Sequence, residues 1–387
     1  MRTLICLAIT SIACLEAAIF NGPYSNSNAE KAANNINSLA ASGSLYTDAD
    51  LNFVVSTLSG QSSATINNAL NQMHPAPYSA LSEIQTQVDA QETTIFHHRP
   101  YQQCTGISPW DLWVEPFGNW FNEKTHGQQI GFTSRTRGVA FGVDTQLLQN
   151  WLFGFGAVYD NTNFNWHVYG GHGIAKSWKG AIYTDYQSKR FYIGAVLLGG
   201  YDHYDTSRKI KFTTIDRRAH ANHHALDLAG QLSTALIFGP NWFTVSPYAN
   251  LDYFYLQQSK FTEFSAGGLN LKVRKNSSST FRSEVGLSLQ VRNDEDKTLC
   301  ISPILALSWI MECPIHRPSY RSNFKGEPIA FKAEGWDRDL QLLSPSLGFV
   351  ATYKQFSLSA QYIAEYAPSK HLPFFGQKGN VRLDWSW

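Results

Sequence analysis

The stretch EVGLSLQVR at residues 284–292 alternates strictly between apolar and other side chains. Val285, Leu287, Leu289 and Val291 share one face, and charged, small or amide side chains share the other. A period of two residues predicts a half-buried β-strand. The NDED segment at 293–296 predicts a turn into a second strand at 297–312. The stretch is therefore expected to form one arm of a β-hairpin.

The same period continues outward in both directions, for example in LDLAGQLSTALIF at 226–238 and VRLDWSW at 381–387. It predicts strands at 109–121, 132–147, 151–164, 175–187, 190–204, 222–238, 242–260, 280–292, 297–312, 339–353, 356–367 and 377–387. The connections alternate in length. The short ones are 148–150, 188–189, 239–241, 293–296 and 354–355, and the long ones are 122–131, 165–174, 205–221, 261–279, 313–338 and 368–376.

A soluble β-sandwich shows the same period, so the alternation alone leaves both folds open. An even strand number with alternating short and long connections is typical of outer-membrane barrels. Charged residues make up only 16% of the chain and aromatic residues 14%, a balance that suits a lipid-facing surface. We therefore predict an all-β transmembrane barrel of about twelve antiparallel strands at 109–387, preceded by an α-helical segment and surrounded by outer-membrane lipid.

Aromatic residues near the ends of the predicted strands support a barrel in a membrane. A girdle of aromatic side chains is expected where strands cross the headgroup region. The candidates on the side of the short turns are Trp110, Trp113, Trp151, Tyr186, Phe191, Trp242, Tyr353, Phe356, Trp385 and Trp387.

The first residues predict export. Arg2 precedes a short apolar run, and small residues follow, which together are typical of a signal peptide at 1–18. Cleavage before Cys14 would leave a lipidated cysteine, and cleavage near Ala17 or Ala18 would not. The mature protein is expected in the outer membrane.

Between the signal and the barrel, the composition and periodicity of the sequence divide it into two parts. Residues 19–48 are rich in Asn, Ser and Ala without an apolar period, which predicts a short exposed segment. Apolar residues then recur at helical spacing, which predicts a helical pre-barrel segment at 49–81 and a further helix at 82–103.

Laid out in this way, residues 49–387 resemble the autotransporter family of type V secretion proteins. The matching stretches are LNFVVSTLSGQSSATINNALNQMHPAPYSAL at 51–81, PWDLWVEPFGNW at 109–120, GVAFGVD at 138–144, WLFGFGAVYDNT at 151–162, VSPYANLDYFY at 245–255 and GNVRLDWSW at 379–387. The resemblance implies a translocator unit that moves and anchors its own N-terminal segment at the cell surface. It also implies that 82–103 is a helix inside the pore.

Polar side chains of that helix suit a water-filled lumen, and the candidates are Gln85, Gln87, Asp89, Gln91 and Glu92. A helix on the periplasmic or extracellular surface is the alternative. The resemblance further implies that the last strand is recognised by the barrel-assembly machinery through Val381, Leu383, Trp385 and Trp387.

The departure from the family lies in the passenger. Only about 30 residues separate the signal from the first helix, and the GGA-type and FxxN-type repeats of chlamydial polymorphic membrane proteins are absent from 19–100. We therefore expect a drastically shortened or lost passenger. The competing functions are a porin-like channel and a surface adhesin or antigen that uses its extracellular loops.

Other chemistry is not indicated. No nucleophile motif occurs, so no enzyme activity and no cofactor are expected. His220, His223 and His224 cluster at the end of the long loop predicted at 205–221, where solvated histidines are the expected interpretation and a metal site the alternative. Three cysteines follow the signal region, Cys104, Cys300 and Cys313, and the last two stand too far apart on one strand to pair. The odd count leaves open a disulfide to an envelope partner, with unpaired buried thiols as the alternative. The net charge of +1 gives no indication of nucleic acid.

Overall fold

The computed structural model describes residues 18–97, 110–126, 129–148, 150–240, 242–292, 299–335, 339–368 and 374–386. The expected signal peptide at 1–18, including Cys14, lies almost wholly outside these residues, as do Cys104 and Trp387.

Twelve strands of the described residues form the barrel wall. They are β1 Trp110–Glu123, β2 Phe132–Leu148, β3 Trp151–Trp166, β4 His172–Gln187, β5 Phe191–Phe212, β6 Ile215–Leu236, β7 Phe243–Gln258, β10 Asn276–Val291, β11 Leu299–His316, β14 Leu340–Tyr353, β15 Phe356–Tyr366 and β16 Phe374–Ser386. They close into one antiparallel barrel, in the order β1-β16-β15-β14-β11-β10-β7-β6-β5-β4-β3-β2. The predicted barrel class and strand number are confirmed.

One predicted loop is wrong. The sequence pattern predicts a long connection at 205–221, whereas β5 and β6 continue through it as a paired hairpin. Apolar side chains keep the two-residue period there, and Ile210, Phe212 and Ile215 are buried. These side chains lie in an apolar core beyond the barrel wall, and their burial there stabilises the extended strands.

The two ends of the barrel differ. At one end the strands are joined by short turns such as 188–190, and we call this the turn end. At the other end lie the extended β5–β6 hairpin and the connections after β7 and β11, and we call this the loop end. Between the ends, apolar side chains point outward and polar ones inward, as in Leu228, Leu232 and Leu236 against Asp227, Gln231 and Ser233.

Two connections at the loop end build a second, small sheet. Strands β8 Phe261–Thr262, β9 Leu271–Val273, β12 Ser319–Phe324 and β13 Phe331–Glu334 pair in the order β13-β12-β9-β8 among the described residues. Together with the tip of the β5–β6 hairpin at 206–219, this sheet forms a surface that we call the loop platform.

Three helices lie on the loop platform: α1 Ser27–Ala41, α2 Ala49–Ser56 and α3 Ser63–Leu70. Each is capped at its N-terminus by a side chain that accepts from backbone N–H groups, namely Asn26, Asp48 and Ser62. We call residues 18–79 the cap. None of the helices in the described residues has both the length and the apolar character needed to span a membrane.

The prediction that 19–48 is an exposed segment is wrong. Ala29, Ala32, Ala33, Ile36 and Leu39 of α1 are buried in one apolar core with side chains of the loop platform. Alanine contributes little to an apolar period, but its small side chain lets the helix backbone pack closely. The residues that fill this core from the platform include Leu271, Val273, Tyr320 and Phe324.

The fourth helix, α4 Ala80–Phe96, leaves the cap and enters the barrel. It has 17 residues, which span about 26 Å at ~1.5 Å per residue. That length is close to the ~25 Å apolar band of an outer-membrane barrel. The helix contacts β2, β5, β6 and β7, so it lies against one side of the barrel wall.

Candidate functional site

The lumen is the candidate site, because α4 fills it with polar side chains that meet polar side chains of the strands. Gln85 donates to Asp227 at 2.9 Å, and Gln87 donates to Glu312 at 2.9 Å. Gln91 accepts from Asn119 at 2.8 Å and donates to the Gly118 and Gly379 carbonyls at 3.3 Å. The side-chain amides of α4 thus reach several strands around the barrel.

An ion cluster around Lys179 of β4 attaches α4 to the barrel wall. Its ammonium lies 2.7 Å from Glu92 and 2.8 Å from Asp227, and it also contacts Asp89. The four side chains are at most 2% exposed. A single buried cation therefore holds two carboxylates of the helix and one of the wall. The pore-helix residues Asp89 and Glu92 meet at this cation.

Aromatic side chains pack around the last turn of α4 near the turn end of the lumen. The Phe96 ring lies 5.4 Å from Trp113 and 5.3 Å from Tyr183, measured between ring centroids. The guanidinium of Arg382 lies 4.1 Å above Trp113, and it donates to the Ile95 carbonyl at 3.2 Å. The cluster fixes the end of the helix against the wall.

Trp113 corrects the predicted girdle. It is 1% exposed and faces the lumen, where its indole N–H donates to Tyr183 at 2.8 Å. Its neighbours Leu112 and Val114 are exposed on the outer face. Side chains alternate across a strand, so the parity that directs Leu112 outward directs Trp113 inward.

Glycines make room for these rings. A Cβ at Gly156 of β3 would lie 2.5 Å from Phe96, and one at Gly142 of β2 would lie 2.5 Å from Trp113. Any larger residue at these two positions would displace the aromatic cluster.

The lumen is less filled beside α4. A cavity of about 140 Å³ lies between α4 and the wall, and residues of β5–β7, β10, β11 and β14–β16 line it. Ser308, Ser344, Ser346 and Ser359 line it together with Arg282 and Lys378. A cavity of this size has room for several ordered waters, and these hydroxyl and charged groups can bind them. The helix occupies the lumen without filling it.

The cap is tied to the loop platform by polar contacts as well as by its core. Asp50 forms a bidentate ion pair with Arg217 at 2.6 and 2.7 Å and accepts from the Gly268 N–H at 2.6 Å. The hydrogen bond from Arg217 lowers the pKa of the Asp50 carboxyl below its usual value. Asn28 exchanges two hydrogen bonds with the backbone of Glu334, at 2.8 and 2.9 Å.

A second ion pair lies where the cap joins α4. Arg208 of the hairpin binds Glu263 of the loop platform at 2.6 and 2.9 Å, and Tyr78 donates to the same carboxylate at 2.7 Å. Arg208 also donates to the Gln72 carbonyl. All three side chains of this cluster are buried. The cap therefore ends in a buried polar cluster directly above the lumen.

The buried position of His74 predicts that the cap is sensitive to acid. Its ring is 2% exposed, and its Nδ1 accepts from the Ala76 N–H at 3.3 Å. Burial, with a contribution from nearby Arg208, lowers the pKa of His74 to about 3. The folded cap holds the ring neutral, whereas the unfolded chain protonates it near pH 6.5.

We expect the cap to lose stability as the pH falls from 6.5 towards 3, because the unfolded state binds the extra proton throughout that interval. Hydrogen exchange of α1–α3, corrected for intrinsic rates, measures this stability at pH 7 and pH 5. The substitution His74→Gln should reduce the loss of stability between pH 7 and pH 5. This pH interval lies mostly above the range where carboxylates titrate. An unchanged pH dependence in H74Q would contradict the assignment to His74.

The other predicted residues fall in several places. Val381, Leu383 and Trp385 point outward from β16 and are nearly half exposed, whereas Trp387 lies outside the described residues. The histidines predicted in a loop are on strand β6. His223 faces inward, is 2% exposed and stacks between Tyr204 and Phe261, at 5.0 and 4.3 Å between ring centroids.

The cysteines differ from each other. Cys300 is disulfide-bonded, and Cys313 is a half-buried free thiol, so the two are not joined to one another. Among the residues described, no group of three or more His, Cys, Asp or Glu side chains is arranged to hold a metal ion.

Sequence reasoning missed Lys179, Arg382 and Arg208. The inward positions of Lys179 and Arg382 follow from the parity of the predicted strands, whereas Arg208 lies in the segment predicted as a connection at 205–221. A charged residue at an inward-facing barrel position indicates a buried polar contact in the lumen. Its partner on the helix depends on the rotation and depth of α4, and no local sequence pattern encodes either.

Proteins of known architecture share this barrel. The family model described as the autotransporter beta-domain matches residues 112–363. The fold is similar to the translocator domain of the autotransporter NalP from Neisseria meningitidis, with a TM-score of 0.61 and 12% identity, over 80% of this chain and 98% of that one. It is also similar to the beta domain of the Bordetella autotransporter BrkA, with a TM-score of 0.54 and 19% identity, over 72% of this chain and 100% of that one.

Among curated proteins, an extracellular serine protease of Serratia marcescens is 26% identical over 182 residues, which is 45% of this chain and 17% of that protein. A second match, to a protein with the same description and organism, is 25% identical over 204 residues. The alignments thus span less than a fifth of the curated relatives.

Proposed function

The chain belongs to the autotransporter β-domain family, and from that premise we propose that its barrel carries the cap to the cell surface and holds it there, docked on its own loops. A family member of this kind is an outer-membrane translocator unit. The observation that carries the finer proposal is the continuous chain from the cap into α4, which runs inside the barrel to its turn end.

In this arrangement α4 is both tether and plug. A segment that emerges through the pore must leave a connecting stretch inside it, and α4 is that stretch. Its carboxylates are matched by Lys179, and its amides are matched by Asp227, Glu312 and Asn119. Buried polar groups are stable only when they are partnered, so these contacts favour a helix that stays in the lumen.

The turn end then faces the periplasm and the loop end faces outward. The same proposal includes an export signal at 1–18. It also includes recognition of the last strand by the barrel-assembly machinery through Val381, Leu383, Trp385 and Trp387. A disulfide between Cys313 and an envelope partner also stays a prediction.

We further propose that the chain has no enzyme activity of its own. The serine protease description belongs to relatives of which the alignments cover 17% and 18%. The 387-residue sequence contains no GxSxG motif.

A porin-like channel is the second candidate, and the cavity beside α4 favours it. The two functions differ in single-channel conductance. We expect the wild-type barrel to conduct weakly, because α4 occupies most of the lumen, and we expect removal of residues 18–97 to raise conductance severalfold. Removal of 18–79 alone, which leaves α4, is the matched control. A wild-type conductance equal to that of the 18–97 deletion would favour the porin.

A further inference from the structure

A row of basic side chains crosses the outer face of the barrel on strands β2–β6. Arg137 pairs across the sheet with Asn161, Asn161 with Lys176, Lys176 with His203, and His203 with His224. The four basic side chains are exposed and point away from the lumen. We call Arg137, Lys176, His203 and His224 the basic row.

The basic row has a defined height relative to the apolar band. An aromatic row lies next to the basic row on the outer face, two residues along each strand towards the turn end. It consists of Tyr159, Trp178 and Tyr201, in which Trp178 pairs across the sheet with both others. Trp178 is 62% and Tyr201 68% exposed, and below them the outer face is apolar, as in Phe155, Ile182 and Leu197. Aromatic side chains mark the membrane interface, so the basic row lies at the level of the lipid headgroups.

The charges of the row are available to a ligand. No hydrogen bond or ion pair with another described residue is seen for the Arg137 or Lys176 side chain. The ring nitrogens of His203 and His224 are 3.3 Å apart, so this pair offers a donor to the same surface. Arg135 lies on the same outer face, two residues from Arg137 towards the loop end, and adds a third permanent cation. Asp205 lies at the level of Arg135 and is a nearby carboxylate.

The other side of the barrel lacks this feature. At the loop ends of β14, β15 and β16, the exposed outward positions are Gln341, Tyr366 and Phe375. A headgroup requirement common to all lipid contacts would place cations around the whole circumference. The basic row on β2–β6 therefore has no counterpart on β14–β16, which shows that such cations are not a requirement of every lipid-facing strand.

We propose that the basic row binds the headgroup of an outer-leaflet lipid that carries more than one phosphate. Five strands at ~4.8 Å spacing give a row roughly 19 Å wide, which matches a headgroup with separated phosphates better than a single small anion. Arginine binds a phosphate through two parallel N–H groups, and lysine adds a point charge. The acyl chains would lie over Trp178, Tyr201 and the apolar surface below them.

This inference takes its orientation from the proposed function, since the loop end must face outward for the lipid to be in the outer leaflet. Its test does not depend on translocation, so the two proposals can fail separately. Purified full-length barrel in detergent is titrated with bisphosphorylated lipid A, with the dephosphorylated lipid, and with inorganic phosphate as competitor. Bound lipid is counted by native mass spectrometry.

We expect the wild-type barrel to retain the bisphosphorylated lipid, and we expect R137Q/K176Q to bind it roughly 30-fold more weakly. The matched control K189Q/R190Q removes one Lys and one Arg from an exposed turn at the other end and should bind as the wild type. R137K/K176R, which keeps both charges, should bind within a few-fold of it. Heat-modifiable migration on gels verifies that each variant is folded.

The proposal is overturned if R137Q/K176Q retains the lipid as well as the wild type does, or if the dephosphorylated lipid binds equally well. Displacement of the lipid by millimolar inorganic phosphate would also overturn it, because the surface would then recognise a free anion and not a lipid.

Discussion

Replacing Lys179 with Met should loosen α4 and open the lumen. The substitution keeps a side chain of similar length but removes the cation that holds Asp89, Glu92 and Asp227. Breaking a buried ion pair by removing one partner typically costs ~3–5 kcal/mol, because the remaining charges stay buried without compensation. We expect K179M to unfold at a lower temperature and to conduct more than the wild type.

Two measurements check this expectation: the temperature at which the folded band disappears on gels, and the single-channel conductance. The control is Lys189→Met, which removes a lysine from an exposed turn and should change neither. Adding D89N and D227N to K179M should restore part of the stability, since the uncompensated charge is then reduced. Wild-type melting and conductance in K179M would mean that the ion cluster does not hold the helix.

The barrel was predictable because its signal is local. Each membrane-crossing strand must direct one face to lipid and the other to the lumen, so residues such as Val285, Leu287 and Leu289 carry the two-residue period within a few positions of one another. The strand ends were less predictable at the loop end. There the β5–β6 hairpin continues to Phe212 and Ile215 because the cap, and not lipid, covers its apolar side chains.

The cap was missed for a different reason. Its first helix presents alanines to the core, and Ala29, Ala32 and Ala33 give almost no contrast between a buried and an exposed face. The residues that bury them, such as Phe324 and Leu271, lie more than 200 positions away along the chain. A prediction from local patterns could not combine these two halves of one core.

The candidate site was likewise predictable only in part. The polar character of α4 was visible in Gln85, Gln87, Asp89, Gln91 and Glu92, and the structure gives each of them a partner on the wall or in the helix. The identity of those partners depends on the depth and rotation of the helix, which only the closed barrel sets. Trp113 is the exception, because its inward direction follows from Leu112 and Val114 beside it.

The proposed function requires that the cap has passed through the barrel and rests on its outer end. An epitope inserted between Gly60 and Gln61 tests it directly, since this turn of the cap is exposed and a Cβ at Gly60 would meet no atom within 4 Å. The matched control is the same epitope between Lys189 and Arg190, an exposed turn at the opposite end of the barrel.

We expect antibody to label the epitope at Gly60 fully on intact cells, and the epitope at Lys189 only after permeabilisation. The expected difference is all or none, because the two turns lie on opposite sides of the membrane. Labelling of the Gly60 epitope only after permeabilisation, with both variants folded in the membrane, would place the cap in the periplasm and contradict the proposed function.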